Sequence, residues 1–438
     1  MIEWFHNSIR RGKRWLALAI VLSLALAGTS PAFGEKKKKA EPEKTVSVLD
    51  KIDISKIVWP QPPNIVRIRY QTYYAGEKLP DFNAKPAKPK SAWMDRLAGV
   101  SEDKSQAGIM RNHYFLGEPH GLAVDSKGKV YAADGKVSAI FIFDPETHNT
   151  EMIKNGKNAS FKLIMGLAID DNDRLFASDA QARRILVFSP LHSMEAVISE
   201  GMADPVGLAI DTENRFLYVA DVDLDQVLVY DADNFKLLRK IGTPGKNHTL
   251  TTPGDFAKPA GVAVDREGNL YVADMLNARI QIFDADGNFI RTFGKRGDGP
   301  GYFAMPKGVA VDCDGHIWVA DAMQNRVQVY SPEGRLLIYM GSAQGILPGL
   351  FSGLQYVAID KQNRVFTSEV FPGRVQQFRY VTQAEATEEL KRREAEKDKS
   401  AEHKPGASRV ITPTSQTTGL SGAPEKSTDA KVRGSAAN

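Results

Sequence analysis

The feature that most constrains this chain is a repeated stretch in its second half. The segments Pro259–Gly294 and Pro306–Gly341 are both 36 residues long, align without a gap and start 47 residues apart. Each contains four short apolar runs separated by turn residues such as Asp and Gly, which predicts four antiparallel strands. A unit of about 45 residues with four strands is typical of one blade of a β-propeller.

The same pattern recurs along the chain as pairs of acidic landmarks, each ending a strand and standing about nine residues apart. Six such pairs occur: Asp125/Asp134, Asp170/Asp179, Asp211/Asp221, Asp265/Asp274, Asp312/Asp321 and Asp360/Glu369. We expect these side chains to hydrogen-bond local backbone and fix the turns. Four units carry an arginine five residues after the second landmark: Arg184, Arg279, Arg326 and Arg374. These arginines are expected either to pair with acidic groups of neighbouring turns or to form a ligand-facing rim.

The repeated unit resembles the NHL repeat family, whose units read roughly P-x-G-V-A-V-D, then L-Y-V-A-D, then N-x-R-I-Q-V-F. The match is close at Pro259–Phe283 and Pro306–Tyr330, and the resemblance extends over about Pro119–Tyr380. It implies an all-β fold, a six-bladed β-propeller of four-stranded antiparallel blades. The family includes binding modules and a few lyase-like or hydrolase-like enzymes, which hold a metal in the central channel.

Closure of the ring requires a strand from outside the repeats. The sixth unit supplies three strands before the composition becomes polar, and an incomplete last blade would leave exposed edges. The segment Ile65–Tyr74 reads as one strand followed by Gly76. We predict that this N-terminal strand completes the last blade; the alternative is a solitary edge strand.

The remaining segments have distinct compositions. Residues 1–34 have a basic start, an apolar run and small residues suited to cleavage, which predicts a secretory signal peptide; the alternative is an uncleaved membrane anchor. Residues 35–58 form a charged leader. The propeller is assigned to residues 59–380, with the closing strand at 59–74, an insertion or linker at 75–117 and six repeats at 118–380. Residues 381–438 are predicted to be a disordered polar tail, whose first part, Gln383–Lys399, is a charged run with helical propensity.

The residue just before the repeated glycine is expected to line the central channel, where a catalytic or metal site would lie. Reading around the ring, that position is occupied by His120, Met165, Val206, Ala260, Lys307 and Gln355. A zinc site needs three or four converging N, S or O ligands, so this set predicts neither a metal site nor a catalytic residue. In the sixth unit Tyr356 replaces the glycine itself, which departs from the family pattern.

These observations predict a non-enzymatic, exported binding or scaffold propeller, periplasmic or extracellular, that binds a protein or other ligand through its blade loops. The alternative is a metal-dependent lyase or lactonase acting in the central channel. A protein partner in the cell envelope and a monomeric ring without a cofactor are expected. Much of the net charge of +4 sits in the tails, and with export it argues against a nucleic-acid partner. Membrane association is expected only if the N-terminal segment stays uncleaved.

Overall fold

A computed structural model of the chain describes residues 52–76, 115–156, 159–244, 252–341 and 344–402. The predicted signal peptide, most of the charged leader and most of the insertion lie outside these residues. Within them, strands dominate and form six sheets of four or five strands around a central channel, with one two-stranded sheet in a connecting loop. Each repeat begins with an inner strand; in the first five repeats three further strands follow outward in chain order, and in the sixth two follow.

The first two strands precede the repeats and are β1 (Val58–Trp59) and β2 (Ile68–Tyr74). The first three blades comprise β3 (Pro119–Val124), β4 (Val130–Asp134), β5 (Ala139–Phe143) and β6 (Thr150–Lys154), then β7 (Ile164–Ile169), β8 (Leu175–Asp179), β9 (Arg184–Phe188) and β10 (Met194–Ile198), then β11 (Pro205–Asp211), β12 (Phe216–Asp221), β13 (Gln226–Asp231) and β14 (Leu237–Ile241). A short parallel pair, β15 (Thr243–Pro244) and β16 (Asp255–Phe256), lies in the following loop.

The last three blades comprise β17 (Pro259–Val264), β18 (Leu270–Asp274), β19 (Arg279–Phe283) and β20 (Phe289–Phe293), then β21 (Pro306–Val311), β22 (Ile317–Asp321), β23 (Arg326–Tyr330) and β24 (Leu336–Met340), then β25 (Leu354–Ile359), β26 (Arg364–Glu369) and β27 (Arg374–Tyr380). One α-helix, α1 (Gln383–Glu402), follows. Short 3₁₀ helices occur at Ile54–Lys56, Ala180–Ala182 and Met275–Asn277. Within the described ranges, no helical segment combines the length and the apolar character that a membrane span needs.

The predicted closure of the ring is confirmed. Strand β2 pairs antiparallel with β27, from Ile68 opposite Tyr380 to Tyr74 opposite Val375, and so supplies the fourth strand of the last blade. Two details of the prediction are wrong. The strand begins at Ile68 and not at Ile65, and β1 adds a fifth strand outside β2.

The first part of the predicted disordered tail is the helix α1. Thr382 starts it with a capping box: Glu385 N–H donates to the Thr382 hydroxyl at 3.3 Å, and Thr382 N–H donates to the Glu385 carboxylate at 2.9 Å. The run is rich in Ala, Glu, Lys and Arg, which favour helices. Ala386 is buried, so the first turn is packed against the protein. Residues 403–438 lie outside the described part of the chain.

The acidic landmarks act as turn anchors. Asp125 accepts hydrogen bonds from the backbone N–H of Lys127 and Lys129 at 3.0 and 2.8 Å. Asp134 accepts from the loop before its blade, at Gly117, and from the loop after β4, at Val137. The first landmark therefore closes a turn within a blade, and the second joins two loops at one face of the ring.

Two faces of the ring follow from this meander. We call the face at which every inner strand begins the loop face, because it carries the connections between blades and between the second and third strands. The opposite face, with the tight turns after the inner strands, is the turn face. The connections that precede blades 4, 5 and 6 each bury one phenylalanine: Phe256, Phe303 and Phe351. Gly294 makes room for one of them, since a Cβ there would lie 2.4 Å from the Phe303 ring.

Candidate channel site and loop face

The central channel is narrow because neighbouring inner strands approach each other closely at the repeated glycine. A Cβ added at Gly166 would lie only 2.0 Å from the backbone oxygen of Val206 in the next blade. Any larger residue would push these blades apart. The residue before each glycine consequently lines the channel at one level near the loop face, and five of the six are partly exposed there, whereas Ala260 is buried.

Three of the six predicted channel residues come together. Lys307 Nζ donates to Gln355 Oε1 at 2.7 Å, and Gln355 Nε2 donates to the backbone oxygen of Gly353 at 3.1 Å. His120 lies close enough for both Lys307 and the Gln355 side chain to influence its pKa. Because blade 6 neighbours blade 1 in the closed ring, residues from blades 5, 6 and 1 form one cluster. The other three side chains at this level of the channel are apolar: Met165, Val206 and Ala260.

In this cluster a partly buried cation, Lys307, lies beside a neutral imidazole ring, that of His120. Burial lowers the pKa of His120, and the positive charge of Lys307 lowers it further; Asp134, Glu118 and a hydrogen bond with the Gln355 side chain act in the opposite direction. Burial also lowers the pKa of Lys307. The imidazole is therefore neutral at neutral pH, since its ordinary value is already 6.5.

The residues present do not fit a channel metal of the kind that enzymes of this fold hold. A divalent cation at His120 would meet the Lys307 ammonium, and Gln355 is the remaining polar side chain of that level. Across the described ranges, no group of three or more His, Cys, Asp or Glu side chains is placed to hold a metal ion. We therefore derive no chemistry through a metal.

Tyr356 occupies the channel just beyond this cluster. Its hydroxyl donates to the backbone oxygen of Val262, in blade 4, at 3.4 Å, so the side chain extends across the channel from blade 6. Burial raises the pKa of Tyr356 to about 12, so the phenol stays protonated. Towards the turn face lies a cavity of about 330 Å³, which Tyr356 also lines. Its apolar wall includes one β-branched residue from each of five blades: Val124, Ile169, Val264, Val311 and Ile359.

The four predicted arginines fall into two groups. Arg279 and Arg374 are buried and pair with the second landmark of their own blade, at Nε–O distances of 2.8 Å to Asp274 and 3.0 Å to Glu369. Both also donate to backbone oxygens of the preceding connection. Burial excludes these two from a ligand-facing rim.

The other two arginines are partly exposed. Arg184 pairs with Asp179 at 3.1 Å and contacts the backbone oxygen of Ser160. Arg326 donates to Gln324 at 2.9 Å and stacks over the Tyr339 ring at 4.9 Å. Arg326 therefore contacts an amide and an aromatic ring, whereas the other three arginines pair with an acidic residue. The repeat pattern did not predict this difference.

The loop face carries an apolar surface that the sequence reasoning missed. Two residues after the second landmark, blades 4, 5 and 6 expose Leu276, Met323 and Phe371 by 46%, 67% and 62%. The equivalent residues of blades 1, 2 and 3 are polar: Lys136, Gln181 and Asp223. The connections on either side of blade 5 add exposed apolar side chains at Tyr302, Ile346 and Leu347. We call Leu276, Tyr302, Met323, Ile346, Leu347 and Phe371 the apolar arc.

Sequence profiles of three protein families match parts of the chain. They are described as a six-bladed beta-propeller, matching residues 260–410, an SMP-30/gluconolactonase/LRE-like region, matching 170–295, and the NHL repeat, matching 116–143.

Two curated relatives illustrate the similarity. A probable peptidyl-alpha-hydroxyglycine alpha-amidating lyase of Caenorhabditis elegans is 27% identical over 221 residues, which are 48% of this chain and 53% of that protein. Protein brain tumor of Drosophila melanogaster is 50% identical over 44 residues, 10% of this chain and 4% of that protein. The chain thus spans about half the length of the first relative and a small fraction of the second.

Solved structures with a similar fold include virginiamycin B lyase from Staphylococcus aureus, at 12% identity and a TM-score of 0.45, covering 60% of this chain and 96% of that one. A protein of unknown function from Bacteroides thetaiotaomicron has 14% identity and a TM-score of 0.48, covering 60% of this chain and 70% of that one.

Proposed function

We propose a binding function for this chain, which belongs to the NHL-repeat family of six-bladed β-propellers. In this proposal it is an exported, non-enzymatic scaffold, periplasmic or extracellular, whose monomeric ring holds a protein partner of the cell envelope through its loop face. It needs no cofactor and binds no nucleic acid. Export is supported by the composition of residues 1–34, with an uncleaved N-terminal anchor as the alternative.

The apolar arc is the observation that supports a protein partner. Single exposed apolar residues are common on protein surfaces, but contiguous apolar surfaces mark interaction sites. Here the same loop position is apolar in three successive blades and polar in the other three. Exposure of Met323 and Phe371 by more than 60% costs free energy that burial against a partner recovers.

We expect the double variant Met323→Glu, Phe371→Glu to lose its partner, because two carboxylates would have to be desolvated in the interface. The full chain would be used as bait in envelope extract, with a photo-crosslinker at Leu347 identifying proteins that touch the arc. Recovery of the crosslinked partner should fall by about tenfold or more.

The matched control is Lys136→Glu, Gln181→Glu, at the equivalent position of blades 1 and 2. It should recover as much partner as the unaltered chain. Equal recovery by the apolar-arc variant, or no crosslinked partner at Leu347, would contradict binding through this part of the loop face.

The second candidate is a metal-dependent lyase or lactonase acting in the channel. Similarity to a relative described as a probable lyase favours it. Elemental analysis of the full chain, purified without chelator, discriminates between the two. Our proposal predicts substoichiometric zinc and calcium, because the Lys307 ammonium beside His120 disfavours a cation. A stoichiometric metal that is lost in His120→Ala would establish the channel enzyme instead.

A further inference from the structure

Lys307 places a charged group inside the channel without a carboxylate to pair with it. Its ammonium donates one hydrogen bond, to the neutral amide oxygen of Gln355 at 2.7 Å. Among the described residues, no carboxylate lies within ion-pair distance of this nitrogen, and burial alone accounts for its lowered pKa. An ammonium has three N–H donors, so two remain available to a ligand. A buried charge without a counter-ion is unfavourable, and an anion would relieve it.

The surroundings of Lys307 supply further hydrogen-bonding groups on the same side of the channel. His120 presents a neutral imidazole, which can donate from one ring nitrogen. The loop after β4 lies close to this ring, since a Cβ at Gly135 would lie 3.3 Å from it. Lys307, His120 and Gln355 all retain partial exposure, so solvent in the channel reaches the cluster.

Two acidic residues oppose an anion here, and both are otherwise engaged. Asp134 is buried and accepts hydrogen bonds from four backbone N–H groups, those of Gly117, Glu118, Lys136 and Val137. Glu118 is 46% exposed at its side chain and lies 3.9 Å from Lys136 Nζ. Backbone dipoles stabilise the first charge, and solvent with a nearby lysine screens the second.

We propose that Lys307, His120 and Gln355 form a binding site for a single carboxylate, reached through the channel at the loop face. One oxygen of the carboxylate accepts from the Lys307 ammonium, and the other accepts from the imidazole N–H of His120. The cluster carries one positive charge, which matches one carboxylate rather than a phosphate dianion. Tyr356 crosses the channel beyond the cluster and limits how deeply the ligand enters. The site is separate from the apolar arc and does not depend on the proposed partner.

Propionate tests this site on the full chain. Protein labelled with ¹⁵N-histidine would be titrated at constant pH and ionic strength, and the His120 resonance assigned by its loss in His120→Gln. We expect a saturable shift of that resonance. Lys307→Met should weaken propionate binding by about tenfold or more, because it removes a charge-assisted hydrogen bond. Lys307→Gln, a polar replacement, should show the same loss.

The matched control is Lys361→Met, which removes an exposed lysine at the turn-face end of the channel. It should bind propionate like the unaltered chain. Unchanged resonances of the other histidines in Lys307→Met would establish that the ring is intact. No saturable shift, propionate binding by both Lys307 variants as tight as that of the unaltered chain, or tighter binding of inorganic phosphate than of propionate would overturn the carboxylate site. None of these outcomes involves the apolar-arc variant, so the two proposals fail separately.

Discussion

Arg374→Ala is expected to lower the free energy of unfolding by about 3–5 kcal/mol, the range for removing one partner of a buried ion pair. Arg374 is buried and pairs with Glu369, which is fully buried. It also donates to the backbone oxygens of Ile346, Leu347 and Leu350. Its removal leaves the buried Glu369 carboxylate without its positively charged partner and takes a hydrogen-bond donor from these backbone oxygens. Equilibrium denaturation by urea, followed by intrinsic fluorescence, measures the change.

The pH dependence identifies the cause. Burial raises the pKa of Glu369 above its ordinary value of 4.5, and Arg374 opposes this rise. Without Arg374 the folded-state pKa rises further, so the folded variant takes up a proton that the unfolded chain does not. The stability of the variant then falls as pH increases. Its loss of unfolding free energy relative to the unaltered chain should therefore be smaller at about pH 5 than at about pH 8.

Arg335→Ala serves as the control, because Arg335 and its partner Glu333 are 81% and 62% exposed at their side chains. A change of less than about 1 kcal/mol is expected there. If Arg374→Ala lost as little unfolding free energy as Arg335→Ala, or if its loss were larger at low pH, the buried pair would not stabilise the last blade.

Deletion of residues 59–74 is expected to prevent the ring from folding into a stable monomer. It removes β2, including the buried side chains of Ile68 and Tyr70, and exposes the edge of β27 along its whole length. An unpaired edge strand with apolar side chains promotes aggregation. Size-exclusion chromatography and circular dichroism of the deletion variant would detect aggregated or unfolded protein; a folded monomer would refute the role of β2.

A point substitution tests the packing of β2 without removing the strand. Ile68→Ala should cost about 2–5 kcal/mol, because the isoleucine is completely buried against the last blade. Arg69→Ala, one residue along the same strand, changes an exposed side chain and should cost less than about 0.5 kcal/mol. Equal losses from the two substitutions would contradict the register of β2.

Much of the fold could be predicted because its signals are local. Each blade repeats the same turn residues, and a landmark such as Asp125 bonds backbone only two and four residues away. The closing strand was predictable from a missing fourth strand in the sixth unit. Its start was not, since Arg67 is held by backbone bonds to Trp59 and Val381 that lie outside the ladder.

For the candidate site, the sequence predicted which residues line one level of the channel, but not which of them come together. The position before the repeated glycine identified Lys307, His120 and Gln355, but their convergence depends on blades 5, 6 and 1 becoming neighbours after closure. The path of Tyr356 to Val262 depends on the width of the channel, which no local pattern encodes. The apolar arc did leave a signal in the sequence: the residue two places after the second landmark is apolar in three successive blades. This signal indicates a shared surface only when it is known that these residues lie on the same face of the ring.

The pairing of β2 with β27 means that the ring can close only after β27 has been synthesised. Tyr74 and its partner Gln377 are 303 residues apart, so an emerging polypeptide must keep its early segment available until almost all the blades have been made. Contacts this distant in sequence slow folding. A nascent chain that terminates before Arg374 has no β27 to meet, and its first segment stays unpaired. An unfinished chain therefore lacks the partner strand that closes the ring.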